Sequence, residues 1–96
     1  MNHKVLLTID ISDEATQRQR KQFYEELIRK NYKEVNNPQS KWQTCFDYSL
    51  TEKTVIDTLK KEVETVTMQI GIKRYSVVAH FEESNLVIFF SGQNRA

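Results

Sequence analysis

The sequence predicts a single α+β domain in which an antiparallel sheet is covered by two helices. Two observations carry this prediction: apolar and polar residues alternate in three segments, and apolar residues recur at helical spacing in two others. The alternating segments are residues 5–11, 42–48 and 74–81, and the helical ones are residues 23–28 and 55–66. The predicted element order is strand, helix, strand, strand, helix, strand, followed by one extra strand.

The first strand and the first helix are predicted between Val5 and Lys30. Apolar residues alternate from Val5 to Ile11, which is typical of a strand with one buried face. Ser12 and Asp13 are typical helix N-cap residues and predict a helix from Ser12 to about Lys30. The first half of this helix is wholly polar, so its first two turns are expected to extend past the sheet edge.

A short strand, a second strand and a second helix follow. The short strand is predicted at Tyr32–Val35, with a loop at Asn36–Ser40, and the next strand at Trp42–Tyr48 has an aromatic inner face. Ser49 with Glu52 matches a capping box, and the helix that follows should end at Gly71. The core-facing residues of this helix are Val55, Ile56, Leu59, Val63 and Val66.

The C-terminal part predicts a hairpin whose second strand is unusually apolar. Arg74–Phe81 is a strand, Glu82–Asn85 a turn and Leu86–Phe90 the last strand, and Gly92–Ala96 is expected to be a frayed tail. Leu86–Phe90 shows no alternation, so both of its faces should be buried. Such a terminal strand rarely stays exposed, which predicts a homodimer through this strand. The alternative is a hairpin within the monomer whose outer face is covered by the tail.

Two βαβ units with right-handed crossovers and a hairpin between them predict a ferredoxin-like βαββαβ sandwich with an extra C-terminal β-strand. The strand order would be 4-1-3-2, with both helices on one face. The first strand would then lie between the Trp42 and Arg74 strands. On the open face we expect Asp10 to lie near Gln43 and Arg74. We expect Lys4 to lie near Asp47 and His80.

Composition limits the classes of function. Residues 1–96 form one domain, and 39% apolar with 28% charged residues is typical of a soluble protein. The net charge is only +1, so binding to nucleic acid would need a local patch. The single cysteine, Cys45, excludes an internal disulfide and suits a reducing cytosol. The apolar stretch near the N-terminus is too short for a signal peptide or a membrane span. We therefore expect a cytoplasmic protein.

The N-terminal part resembles a superfamily of small ferredoxin-like proteins. That superfamily includes the GhoS antitoxin, the VapD toxins and the CRISPR-associated small endonuclease-like integration subunit. The matching segments are Val5–Asp13 (VLLTIDISD), the basic helix Arg18–Lys30, Asn31–Val35 (NYKEV) and Tyr48–Glu52 (YSLTE). The resemblance covers residues 1–66. It implies a small RNA-directed protein, a GhoS-like antitoxin or an endoribonuclease that acts on single-stranded RNA. In the CRISPR relative, an extra C-terminal strand completes the partner's sheet.

The resemblance also implies site residues. Asp10 matches the metal-binding aspartate of the superfamily and becomes the candidate catalytic residue, with Mg²⁺ as candidate cofactor, an ion that prefers carboxylates and keeps waters. In a symmetric dimer two copies of Asp10 could share one ion. The alternative is that Asp10 caps the helix or pairs with Arg74 or Lys73. Arg18 and Arg20 fall where GhoS-like antitoxins carry basic residues on the first helix, and the basic run continues with Lys21. Arg18, Arg20 and Lys21 are therefore the candidate nucleic-acid contacts, with a solvated helix face as the alternative.

Two classes of function remain open at this point. One is the RNA-directed role, catalytic or not. The other is a non-catalytic dimeric module that binds a protein partner through the sheet and the C-terminal strand. The remaining candidate side chains give weaker indications of function. His3 and His80 could transfer protons near neutral pH, Trp42 is expected in the core, and Cys45 is expected to be inert.

Overall fold

A computed structural model describes residues 2–35 and 41–94. These residues form five strands and two helices in an α+β arrangement, so the predicted fold class is confirmed at that level. The predicted loop Asn36–Ser40 lies outside the described residues. The elements are β1 (Asn2–Ile11), α1 (Gln17–Arg29), β2 (Lys33–Glu34), β3 (Lys41–Asp47), α2 (Glu52–Ile70), β4 (Arg74–Phe81) and β5 (Val87–Gln93).

The five strands form one sheet in the order β2-β3-β1-β4-β5, and every neighbouring pair is antiparallel. The first strand therefore lies between β3 and β4, as predicted. The fifth strand extends the sheet beyond β4, so the element order is not a plain βαββαβ. No helix among the described residues is long and apolar enough to cross a lipid bilayer.

The core lies between one face of the sheet and the two helices. Because side chains alternate along a strand, each strand sends every second residue to this face. The buried sheet residues include Val5, Leu7, Ile9, Trp42, Thr44, Tyr75, Val77, Ala79, Phe81 and Phe90. The helices bury Phe23, Leu27, Val55, Leu59, Val63, Val66 and Thr67 against them. In residues 2–35 and 41–94, no helix packs on the opposite face of the sheet.

The first helix begins later than predicted. Thr16, not Ser12 or Asp13, is the N-cap. The Thr16 side chain accepts a hydrogen bond from the Gln19 amide at 3.1 Å, and the Gln19 side chain accepts one from the Thr16 amide at 2.9 Å. The Ser12 amide instead donates to the Arg74 carbonyl at 3.0 Å, which continues the pairing of β1 with β4. This reciprocal capping box begins the helix one turn further along the chain.

The second strand and the second helix also have bounds that differ from the prediction. Strand β2 covers only two residues, since the Tyr32 amide donates to the Leu27 carbonyl at 2.9 Å and so belongs to the end of α1. Tyr32 is buried, and its hydroxyl donates to Glu62 Oε1 at 3.1 Å. Burial and the Glu62 charge raise the pKa of Tyr32. Helix α2 has Thr51 as its N-cap, so the predicted Ser49–Glu52 capping box is wrong. Its predicted end is confirmed, since Gly71 has the left-handed conformation with φ 92°.

The last strand is longer than predicted, and the tail is not frayed at Gly92. Strand β5 runs to Gln93, and the Asn94 amide donates to the Lys73 carbonyl at 2.7 Å. The Asn94 side-chain amide donates to Thr67 Oγ1 and to the Ile72 carbonyl, both at 2.8 Å. These hydrogen bonds hold Asn94 against the C-terminal end of α2 and fix the end of β5. The last two residues of the chain lie outside the described part.

Candidate functional surfaces

Asp10 lies exposed near the end of β1, opposite Ser76 on β4. It lines a pocket of about 450 Å³ together with Asp13, Glu14 and Arg74. Asp10 therefore lies near Arg74, as predicted. The predicted neighbour Gln43 is wrong, since Gln43 faces Leu6, four residues earlier on β1.

The predicted structural roles of Asp10 are absent from the described residues. The Arg74 guanidinium pairs with Glu14, and this contact lowers the pKa of the Glu14 carboxyl. No ion pair among residues 2–35 and 41–94 includes Asp10, and the cap of α1 is Thr16. The Asp10 carboxylate is therefore open to solvent and to a ligand.

The acidic pocket offers Mg²⁺ few protein ligands. Within the described part of the chain no three His, Cys, Asp or Glu side chains are arranged to hold a metal ion. Glu14 is already paired with Arg74, whereas Asp10 and Asp13 have no ion-pair partner in the described part of the chain. Mg²⁺ bound by these two carboxylates would take its remaining ligands from water.

The three candidate nucleic-acid residues of α1 differ in how far their charged groups are already engaged. Arg18 and Lys21 are exposed and three positions apart, so they lie on the same side of the helix. Arg20 is half-buried, and its Nη2 donates to the Ser12 carbonyl at 2.9 Å. Arg20 therefore fixes the turn before the helix, while it still lines a surface pocket together with Lys21.

The outer edge of β5 is unpaired among the described residues. The Phe81 amide donates to the Leu86 carbonyl, and the Asn94 amide donates to the Lys73 carbonyl. Along antiparallel strands, hydrogen-bonded pairs alternate with pairs that are not hydrogen-bonded to each other. Every second residue of β5, starting directly after Leu86, therefore points its N–H and C=O groups away from β4. These residues are Val87, Phe89, Ser91 and Gln93.

The side chains of the same residues lie on the helix-free face. Phe89 is 67% exposed and Val87 is 59% exposed. Phe89 lies opposite Val78 of β4, another exposed apolar residue, and Val87 lies opposite His80. On the helix side Phe90 is buried. The alternative in which the tail covers this strand is wrong for the described residues, because the chain continues along β5 and then turns toward α2.

Each histidine ring lies within hydrogen-bond distance of an oxygen, and Cys45 is an exposed free thiol. His3 Nε2 lies 2.6 Å from the Leu50 carbonyl oxygen, and His80 Nε2 lies 3.3 Å from Asn85 Oδ1. His80 is opposite Leu6, so the predicted pairing of Lys4 with His80 is wrong by two residues. Lys4 faces Cys45 rather than Asp47. The sequence did not predict that Lys4 would be the cross-strand neighbour of Cys45.

The sequence matches no protein-family model, and no curated protein and no solved structure shows significant similarity to it. Function is therefore argued from the surfaces described above.

Proposed function

We propose that this chain is a self-associating β-sheet module, in which β5 of one protomer pairs with β5 of a second copy. The observation that supports it most is the outer edge of β5. Its N–H and C=O groups are open, and residues 86–94 (LVIFFSGQN) contain no charged residue and no proline. Soluble proteins usually protect an open edge with such residues. This edge has no such protection.

A second copy is the occupant that fits this edge. An antiparallel strand can pair with itself across a twofold axis, which gives an isologous interface with the same residues on both sides. The pairing would supply partners for the open backbone groups of Phe89 and Ser91. It would also bring two copies of Phe89 together on the open face and join the two sheets into one. The arrangement is compatible with a ferredoxin-like fold with an extra strand, which we propose for this domain.

The dimer can be tested with a charge placed on the edge. We expect wild-type protein to dimerise at micromolar concentration, and the Phe89→Lys variant to dimerise about 30-fold more weakly, as for an interface hot spot. Sedimentation equilibrium over a concentration series measures both constants. Ile28→Lys is the matched control, because Ile28 is 58% exposed on α1, far from β5. A wild-type monomer at high micromolar concentration, or an equal effect of Ile28→Lys, would contradict the proposal.

This dimer gives no shared metal site. Asp10 lies on β1, and β4 and β5 separate β1 from the dimer axis in each protomer. The two Asp10 residues would be five strand spacings apart, about 24 Å at about 4.8 Å each. A Mg²⁺ ion bridged by two copies of Asp10 is therefore not part of this assembly.

A second candidate function is binding of single-stranded RNA in the cytoplasm. The observation that favours it is the exposed pair Arg18 and Lys21, for which residues 2–35 and 41–94 supply no ion-pair partner. The resemblance of the first 66 residues to the GhoS superfamily supports the same role, as antitoxin or endoribonuclease. Arg20 is left out of the proposed contacts because its guanidinium holds the Ser12 carbonyl.

The salt dependence of RNA binding tests this second candidate. Each phosphate contact to a single strand contributes about 0.7 to the slope of log K against log salt. The Arg18→Ala/Lys21→Ala variant should therefore bind with a slope smaller by about 1.4. Lys61→Ala, on the exposed side of α2, is the control. An unchanged slope would assign the two cations to a solvated surface.

If wild-type protein cleaves RNA, Asp10→Asn should abolish cleavage, and surviving activity would exclude Asp10 from the mechanism.

A further inference from the structure

A cavity of about 330 Å³ lies at the end of the sheet opposite to Asp10. The start of β1, the turn between β3 and α2, and the turn between β4 and β5 meet there. Its lining residues are His3, Lys4, Tyr48, Glu52, Phe81, Glu83 and Ser84. The volume is at the lower end of the range for small-molecule pockets, about 300–1,000 Å³. A ligand here would have to be small.

Aromatic rings form part of the cavity wall. The His3 ring centroid is 4.7 Å from that of Tyr48, with the planes inclined by 44°. It is 6.2 Å from the Phe81 centroid, edge to face. Phe81 is buried and forms an apolar floor, whereas Tyr48 remains 47% exposed. Faces of aromatic rings attract cations through their quadrupole.

Two carboxylates are fixed beside these rings. The Ser84 hydroxyl donates to Glu52 Oε2. The Tyr48 hydroxyl hydrogen-bonds Glu83, and this bond, with the charges of Glu83 and Glu52, raises the pKa of Tyr48. The negative charges of Glu52 and Glu83 therefore lie close enough to the Tyr48 ring to affect its hydroxyl.

The cation that also lines the cavity does not neutralise these acids. The Lys4 ammonium lies 3.8 Å from Glu82, an acid outside the lining. His3 Nε2 is engaged by the Leu50 carbonyl. Aromatic rings beside carboxylates that have no ion-pair partner among the described residues are the features that recognise an organic cation.

We propose that this cavity binds a small alkylammonium ion. Its nitrogen would lie between the carboxylates of Glu52 and Glu83, and its alkyl groups would contact the rings of Tyr48 and His3. The proposal is independent of the β5 dimer and of RNA binding, because none of these residues belongs to those surfaces.

Choline and its neutral isostere 3,3-dimethyl-1-butanol are the probes that test the proposal. Amide chemical shifts of ¹⁵N-labelled protein are followed during each titration, at constant ionic strength maintained with sodium chloride. We expect choline to move the signals of residues 3, 48–52 and 81–84, and the neutral alcohol to leave them unchanged. Butylammonium in a third titration determines whether a primary ammonium is preferred over a quaternary one. Equal shifts with the alcohol, or with sodium chloride alone, would overturn the proposal.

Variants separate the ring from the charges. Tyr48→Leu should weaken choline binding by about 2- to 5-fold, the usual size of an exposed cation–π contact. Tyr48→Phe keeps the ring and removes only the hydroxyl bond to Glu83, so it should weaken binding less than Tyr48→Leu does. Glu52→Gln and Glu83→Gln should each weaken binding by about 5-fold. Glu25→Gln, an exposed acid on α1, is the control. If it weakens binding as much as Glu52→Gln, the attraction is a general charge effect and the proposed site is wrong.

Discussion

We expect the Trp42→Ala variant to lose about 3–5 kcal/mol of its free energy of unfolding. Trp42 is the largest fully buried side chain among the described residues. It projects from β3 into the layer between sheet and helices, and the Tyr24 ring of α1 stacks on it at a centroid distance of 5.7 Å. Alanine would leave a cavity that the paired strands on both sides of β3 cannot close. A domain of this size is stable by about 5–15 kcal/mol, so the variant should be close to unfolding.

Guanidinium denaturation followed by circular dichroism, at one fixed protein concentration, measures this loss. Trp42→Phe keeps an aromatic ring next to Tyr24 and should lose clearly less free energy of unfolding. This variant therefore still tests the prediction if the alanine variant does not fold. Ile28→Ala, at an exposed position of α1, should change stability by less than about 0.5 kcal/mol. A cost for Trp42→Ala as small as that of Ile28→Ala would place the indole outside the core.

The buried faces of the sheet could be predicted because only one side of the sheet carries helices. Under that condition alternation along β1, β3 and β4 identifies the inward residues directly, as Val5, Trp42 and Val77 illustrate. The same alternation cannot fix the register. A shift of two residues between strands keeps every side chain on its face. This is why Arg74 was the residue expected beside Asp10 on β4, whereas Ser76, two residues further along, is the one that lies opposite it.

The start of α1 was predictable in principle, but two signals competed. Ser12 and Asp13 are good N-caps by residue type, and Thr16 with Gln19 matches the reciprocal capping box. The structure resolves the choice through β4, because the Arg74 carbonyl takes the Ser12 amide into the sheet. No local pattern in residues 12–19 contains that information.

The cavity around Tyr48 could not be predicted from the sequence. Tyr48 was assigned to the inner face of β3, but the strand ends at Asp47 and the ring lies at the surface. Its neighbours His3 and Glu83 come from segments far apart in the chain. They meet only because β1 lies between β3 and β4 in the sheet. A site built from several turns depends on strand order and register together, and register is the property that alternation leaves open.

We expect Gly92→Val to cost about 1–3 kcal/mol by overpacking. Gly92 lies opposite Tyr75 in the pairing of β4 with β5, and the Tyr75 ring lies over it. A Cβ atom at Gly92 would be 2.2 Å from Tyr75 Oη and 2.3 Å from Cζ. Tyr75 is buried, so its ring has little room to move away. The end of β5 should therefore separate from β4, and the hydrogen bond of the Asn94 amide with the Lys73 carbonyl should weaken.

Thermal denaturation and hydrogen exchange at the Asn94 amide measure the two consequences. Ser91→Val introduces the same side chain one residue earlier, where it lies on the open face, and should leave both quantities nearly unchanged. The double variant Gly92→Val/Tyr75→Leu removes the clashing ring and should therefore cost less than the sum of the two single changes. Strict additivity would mean that the ring does not limit residue 92, and that Gly92 is required for another reason.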